Sequence, residues 1–578
     1  MPAMPAIRAQ AAGHTRIPLA GGGQESLLSE VGSQYLLPLL TTADACALRL
    51  VCREFQAAVT EQPWEDRGTT IQGSIAAWRA CFPRARCANV GELTETGKGG
   101  RAASVVDADF VHFEGLRELR MTGCRHVTDA AFVHLRGILV LDITCCDQGG
   151  ITDAAFAHLQ GIHTLRMGSC SQGSVTDAAF AHLRGIHTLD IGFCSQAGIT
   201  DAAFAHLRGI HALHMSRCNQ GGITDAAFAH LRGIHTLDMS GCNQGGITDA
   251  AFAHLRGIYT LDMSDCNQEA ITDAAFVHMR GIHSLSMSGC VQDAITDAAF
   301  VHLRGIHTFD MSGCKQEAIS NAAFSHLRGI HTLYMDGCDQ GTITDDAFVH
   351  HRGVHTLRIV GCAQLSDEAF AHLCGIHTLD MKFCCQDDIT DAAFAHLRGI
   401  HTLDMSGCCQ RGITDAAFAH LRGIHTLEMS WCGQAVITDA AFAHLRGIHT
   451  LNMSYCSQRG ITDAAFAHLR GIHTLDMSWC GQAGITDAAF APMRGINTLN
   501  MGNCSQGTIT DAAFEHLTGI HWLVMQGCSQ LSITCANFSR LVGLHLLAMY
   551  ECRDVQVATA QSPGLPVMLD RYFSFDLP

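Results

Sequence analysis

Cysteine, histidine, acidic and aromatic residues recur in this chain at fixed intervals, and each column has a chemistry to weigh. Of 28 cysteines, 19 fall in one column that runs from Cys124 through Cys194 to Cys552. Zinc sites pair cysteines a few residues apart, as in C-x-x-C. The close pairs here are Cys145-Cys146, Cys384-Cys385 and Cys408-Cys409, adjacent residues that face different ways. Buried structural thiols, kept reduced, account for the column better.

Histidine forms two columns. One lies on predicted helices (His158, His182, His206), the other opens predicted strands (His163, His187, His211). Rows of imidazoles suit zinc binding or pH sensing. Nothing alternates with them to complete a tetrahedral site, so they read as copied surface residues. No metal and no cofactor is expected. A glutamine column (Gln148, Gln172, Gln196) is expected to make side-chain amide contacts between neighbouring turns.

The acidic column comprises Asp142, Asp190, Asp238, Asp262, Asp310, Asp380, Asp404, Glu428 and Asp476. An acidic wall favours a basic or amine-bearing partner. Duplication of one solvated aspartate explains it equally well. The residue before the column cysteine is usually glycine, but three consecutive repeats carry Trp431, Tyr455 and Trp479, with Phe383 two units earlier. Exposed rings bordered by Asp404, Glu428 and Asp476 make an interaction hot spot, and a ring with a carboxylate suits a Lys or Arg side chain. The alternative is that the rings stack on one another and shield the sheet.

The element that positions these columns is a repeat. The unit ITDAAFAHLRGIHTLDMSGCNQGG returns every 24 residues from Val127, with two 22-residue units at Ile343 and Ile509 and degenerate units at both ends. In the unit from Val175, Ile186, Leu189 and Ile191 give a short strand with inward side chains. Thr176 is a helix N-cap, with Asp177 at the positive end of the helix. Phe180 and Leu183 share a buried face, and Gly185 supplies the left-handed residue after the helix. Cys194 caps the turn leaving the strand. About nineteen such units stack, because none buries its apolar stripe alone.

Composition sets the outer limits. With 47% hydrophobic and 16% charged residues the chain is globular, and no apolar run reaches a membrane span. The N-terminus lacks the apolar core of a signal peptide, so a cytoplasmic (or nuclear) protein is expected. The net charge is −17, and residues 1–103 are nearly neutral, so the repeats carry the acidic excess. That argues against a nucleic-acid partner. The order and spacing of a catalytic triad, a phosphate loop or a carboxylate pair nowhere interrupt the repeat. Only about 23 residues follow the last unit, too few for a catalytic domain of roughly a hundred.

The phrase L-x-x-L-x-L-x-x-C followed by ITDAAF, as in Cys194 to Asp201, resembles the cysteine-containing leucine-rich repeat of F-box proteins. The resemblance covers about residues 104–555. Upstream, LLSEVGSQYLLPLLTTADACALRLVCREFQAAVTEQPW (27–64) resembles an F-box. Leu27, Glu30 and Val31 fall in a first helix, followed by Leu36 and Leu40. Asp44 precedes a second helix with Leu48 to Arg53 as its core, and Trp64 closes the segment. Leu27-Leu28 stands where the family usually has Leu-Pro. Ser74–Arg86 follows as a linker helix and half repeat, and 91–104 as a loop.

The resemblance implies an α/β leucine-rich-repeat solenoid: a curved horseshoe with parallel strands on its concave face and helices outside, behind a small helical F-box-like segment. The implied division is a disordered N-terminus (1–24), the F-box-like domain (25–66), a linker and cap (67–103), the solenoid (104–555) and a C-terminal cap (556–578). It implies binding of a Skp-type adaptor through Leu27, Val31, Leu36, Leu40, Leu48, Leu50, Val51 and Arg53, and through it a cullin. A target protein would lie on the concave face. The chain would then be a ubiquitin-ligase substrate receptor and not an enzyme. A free-standing interaction scaffold with a degenerate F-box is the alternative.

Overall fold

The computed structural model describes residues 37–71, 73–91, 105–147 and 149–528, and beyond them 532, 533, 538, 541, 543–549, 567 and 568. They fall into two compact units, Met1–Asp190 and Ile191–Pro578.

The first unit opens with helix α1 (Thr42–Leu48) and helix α2 (Arg53–Glu61). Thr41 caps α1: its hydroxyl accepts from the Asp44 N–H at 3.2 Å while Asp44 accepts from the Thr41 N–H at 3.3 Å. The second expected helix, with Leu48 to Arg53 as its core, is broken. The N–H groups of Leu50 and Val51 donate three residues back, to Ala47 and Leu48, which tightens and ends α1. Cys52 then caps α2 by accepting from the Phe55 N–H. Leu50 and Val51 therefore lie in a turn and face solvent, 88% and 61% exposed. Trp64 is buried against Phe82, and its indole N–H donates to the Val59 carbonyl at 2.8 Å. Helix α3 (Ile75–Cys81) leads to strand β1 (Cys87–Asn89), which pairs with β2 (Glu118–Arg120) as the half repeat expected there. Strands β3 (Val140–Asp142), β4 (Thr164–Arg166) and β5 (Thr188–Asp190) follow, all parallel and in register.

The second unit carries the same ladder from Ala212–His214 to Leu546–Ala548, each strand three residues long and parallel to its neighbours. Val567–Met568 adds a last parallel pairing inside the segment expected as the C-terminal cap. The core follows one pattern from repeat to repeat. In the unit from Ile223 it consists of Ile223, Ala227, Phe228, Leu231, Ile234, Leu237, Met239 and Cys242, each at most 2% exposed. Burying this set removes several hundred Å² of apolar surface per repeat, at roughly 25 cal/mol per Å².

The helices are shorter than expected. Most consist of the four residues DAAF, and the chain then closes with tight bonds, such as Leu231 N–H to the Phe228 carbonyl at 2.9 Å. The threonine cap is where the sequence puts it: Thr224 accepts from the Ala226 N–H. The aspartate beside it does more than face the helix end. Asp201 receives both the backbone N–H and the hydroxyl of Thr224 in the next repeat, each at 2.7 Å. This two-point staple recurs repeat after repeat and is the main polar tie on the helix side.

On the opposite edge the cysteine column is a second tie. The Cys218 thiol donates to the Ile191 carbonyl of the preceding repeat at 2.9 Å. Burial pushes such thiols upward, Cys242 to about 12, so they are protonated donors and not nucleophiles. The glutamine column ties to backbone instead of to other amides: Gln220 Nε2 donates to the Cys194 carbonyl at 2.9 Å, and Gln172 to that of Cys146. Gln148 lies outside the described residues.

Candidate functional site

The residue before the column cysteine sits in a turn whose backbone is left-handed in every repeat among the described residues. Glycine fills it at Gly241, Gly289, Gly313, Gly337 and Gly361, with φ between +61 and +69°. Glycine adopts this region freely, whereas bulky residues there are strained by roughly 1–2 kcal/mol. Phe383 (φ +55°), Trp431 (+59°), Tyr455 (+56°) and Trp479 (+58°) occupy it nonetheless.

Their rings form a stack. Trp431 and Tyr455 lie 4.0 Å apart between centroids and 10° from parallel, and Tyr455 and Trp479 lie 5.3 Å apart and 13° from parallel. Phe383 lies over Gly407, where a Cβ would meet its ring edge at 2.4 Å. Phe383, Trp431 and Trp479 keep 60%, 59% and 50% of their surface exposed. The rings do stack on one another, yet they leave an aromatic strip open to solvent. Their inner faces are occupied, so any cation must approach from the edges or the ends. Sequence reasoning missed Phe193, which has the same left-handed turn and is half exposed, with the Arg217 guanidinium over its ring at 5.4 Å.

Three residues before each tryptophan, and at the same offset in the other repeats, stands the acidic column. It is not a row of solvated charges. Asp404 accepts from the Ser406 N–H at 3.0 Å. Asp476 accepts from the Ser478 N–H and hydroxyl and, at 2.8 Å, from the Asn500 amide. These carboxylates therefore cap the turn that leaves the strand, which in the Asp476 repeat presents Trp479, an Asx-type role. Burial raises the pKa of Asp476. Burial, reinforced by Asp404 and Asp476, pushes Glu428 to about 7, against a hydrogen bond from Asn452. Nor is the wall uniformly acidic. Arg358 bridges Asp336 (2.7 Å) and Asp380 (3.5 Å), and Lys382 bridges Asp380 (3.5 Å) and Asp404 (2.9 Å). Beside the three stacked rings the acidic column contributes Glu428 and Asp476.

The edge where the helix turns back to the strand carries the histidines. In the second unit, the strand-side rings stack continuously from His211 to His473, with Tyr259 among them and centroids 4.4–4.7 Å apart. Nδ1 of most of these faces the next threonine hydroxyl, as in His425–Thr426 at 3.2 Å. The helix-side histidines accept from the arginine of the preceding repeat, as Arg422 to His444 at 3.3 Å. Both columns thus serve the stack itself. Among the described residues, no three His, Cys, Asp or Glu side chains are grouped to hold a metal. No helix among them is long and apolar enough to cross a membrane.

Of the residues expected to meet an adaptor, Leu27, Val31 and Leu36 lie outside the described residues. Leu40 and Leu48 are half-buried, while Leu50, Val51 and Arg53 are exposed, as is Leu39.

No family model matches this chain, and no curated protein matches it. Solved structures do. TLR13, solved as a TLR13–ssRNA13 complex, aligns at a TM-score of 0.60 and 17% identity, over 80% of this chain and 70% of that one. Mouse RP105, from the RP105/MD-1 complex, gives 0.54 and 14% identity over 78% and 85%. Drosophila Toll, from the glycosylated Toll–Spatzle complex, gives 0.52 and 15% identity over 71% and 58%. At these identities the likeness concerns the fold alone, and with the repeated strand, turn and one-turn helix it shows the chain to be a leucine-rich-repeat solenoid.

Proposed function

We propose that this chain is a non-catalytic binding protein whose partner docks on the aromatic strip of Phe383, Trp431, Tyr455 and Trp479. The observation that carries this reading is the backbone beneath the strip. Three consecutive repeats place large rings at a position where glycine serves without strain, and they leave Trp431 and Trp479 half exposed. A stack whose only role was structural has no need of the site most hostile to a side chain. Glu428 and Asp476 border it, so the fitting partner is a protein segment with an aromatic or aliphatic anchor flanked by Lys or Arg.

Within that reading, we assign the chain the role of substrate receptor of a Skp–cullin–F-box ubiquitin ligase. The support is the F-box-like sequence and the exposure of the apolar side chains of Leu39, Leu50 and Val51, residues of the kind a protein contact covers. Such a receptor performs no bond chemistry; it raises the effective concentration of the target near the ubiquitin-charged enzyme. The role places it in the cytoplasm or nucleus, where buried thiols stay reduced.

The test is capture of the full chain by a eukaryotic Skp-type adaptor. Wild type should bind and a Leu50→Asp, Val51→Asp variant should not, with unchanged thermal unfolding of the repeats. If the folded wild type fails to bind, the receptor role falls and the chain stands as a free binding scaffold.

A further inference from the structure

We propose that Cys385 and Cys409 are an exposed dithiol that closes reversibly to an inter-repeat disulfide by exchange with glutathione disulfide. Most cysteines here are buried in one column, where the thiol is hydrogen-bonded and inert. Cys384 and Cys408, the immediate neighbours of this pair, belong to it: their thiols donate to the Ile359 and Met381 carbonyls at 3.1 Å. Cys385 and Cys409 stand one residue further on, and both are exposed. They hold the same position in consecutive repeats.

That column brings side chains within reach of the next repeat. Asn219 accepts from the backbone N–H of Asn243 at 2.9 Å, and Asn243 from that of Asn267 at 2.7 Å. In the dithiol repeat the Cys385 thiol donates to the Gly407 carbonyl at 3.2 Å, which lays it against the segment bearing Cys409. The neighbouring Cys385 thiol, with burial and the charge of Asp387, holds the Cys409 thiol above its ordinary pKa. Parallel neighbours are spaced about 4.8 Å apart, inside the Cα–Cα window of about 4.4–6.8 Å that a disulfide spans. Elsewhere the column holds Ser, Asn, Asp, Val, Lys, Ala, Gly or Arg.

The exchange balances as two transfers. A thiolate from one cysteine attacks a sulfur of glutathione disulfide, forming a mixed disulfide and releasing one glutathione thiolate. The second cysteine, after losing its proton, attacks the protein sulfur of that mixed disulfide. The Cys385–Cys409 bond forms and the second glutathione leaves. The protein is oxidised by two electrons, one glutathione disulfide is reduced to two glutathiones, and two protons pass from the cysteines to the leaving thiolates or the solvent. The bond would close a loop of one repeat at the foot of Phe383, the start of the aromatic strip.

The experiment equilibrates the full chain in buffers of fixed total glutathione and varied reduced-to-oxidised ratio, then traps thiols by alkylation and maps peptides by mass spectrometry. The expected result is a Cys385–Cys409 crosslink that rises with oxidation, reverses on reduction, and leaves Cys384 and Cys408 alkylatable after unfolding. Cys385→Ser and Cys409→Ser should each abolish it and leave the remaining cysteine carrying glutathione. Serine occupies this position naturally at Ser457 and Ser505, and a thermal melt checks that the variants fold. The proposal is overturned if both thiols carry separate glutathiones, stay free at the oxidising extreme, or crosslink elsewhere.

Discussion

Trp431 and Tyr455 stack at 4.0 Å between centroids on backbones that both lie at positive φ, +59° and +56°. The pair combines a favourable contact of about 0.5–1.5 kcal/mol with a local conformation costing about as much. Replacing both by glycine, the residue at this position in repeats such as those of Gly241 and Gly407, should therefore leave stability within ~1 kcal/mol of wild type. Partner capture should fall by at least tenfold. Urea unfolding and affinity capture from the native source check the two halves. Strong destabilisation with capture unchanged would make the stack a structural element alone.

The staple between repeats makes a sharper stability prediction. Asp415 receives the N–H and hydroxyl of Thr438, each at 2.7 Å. Asp415→Ala strips both bonds from a partly buried site and should cost ~1–3 kcal/mol. Asp415→Asn should cost much less. The molecule already makes that substitution at Asn321, whose amide accepts from the Thr344 N–H at 2.9 Å and donates to its hydroxyl at 2.8 Å. Thermal unfolding of the two variants side by side decides it, and equal losses would sink the reciprocal-bond argument.

His351 interrupts the core. It stands in the column that Leu327 and Leu373 fill in the flanking repeats, only 1% exposed and edge-on to Phe324. Burial lowers its pKa to about 4, and His350 adds to the shift against a pull from the Ala347 backbone. The unfolded chain takes up its proton near pH 6.5 and the folded chain only near pH 4, so this residue's contribution weakens as pH falls between those values. His351→Leu should raise Tm at pH 7 and raise it more at pH 5. A shift independent of pH would show that the imidazole does not stay neutral in the fold.

The sequence was legible where one residue type does one local job. Thr224 as a cap, glycine at the left-handed turn after the helix, and the buried Phe228 and Leu231 all follow from period and propensity. What escaped reading depends on the next repeat. Asp201 looks like a helix-end charge until Thr224 of the following unit is placed beside it. Asp404 looks solvated until the turn folds back and Ser406 donates to it, with Lys382 beside it. The Leu48–Arg53 run has helical spacing, yet Leu50 and Val51 close a turn because Cys52 caps a new helix. The aromatic column was visible, but the strain that makes it informative is a backbone angle, which composition does not carry.

Glu428 links the acidic column to the strip. Burial, with Asp404 and Asp476 nearby, raises its pKa to about 7, while in the unfolded chain it titrates near the ordinary value of 4.5. The folded state therefore holds the proton across that interval and the unfolded state does not. Stability from this group is present at low pH and is lost as pH rises from about 4.5 to about 7, by roughly 3 kcal/mol. Glu428→Gln removes the titration while keeping a polar group for Asn452. The variant should match wild type near pH 4.5 and exceed it in Tm at pH 8. If Glu428 also contacts a basic partner, the same variant should bind more weakly at pH 8 and equally at pH 5.5, where the wild-type side chain is protonated. Coincident stability curves across the range would show that Glu428 ionises as an ordinary surface carboxylate, and the negative border of the strip would then rest on both Glu428 and Asp476 at neutral pH.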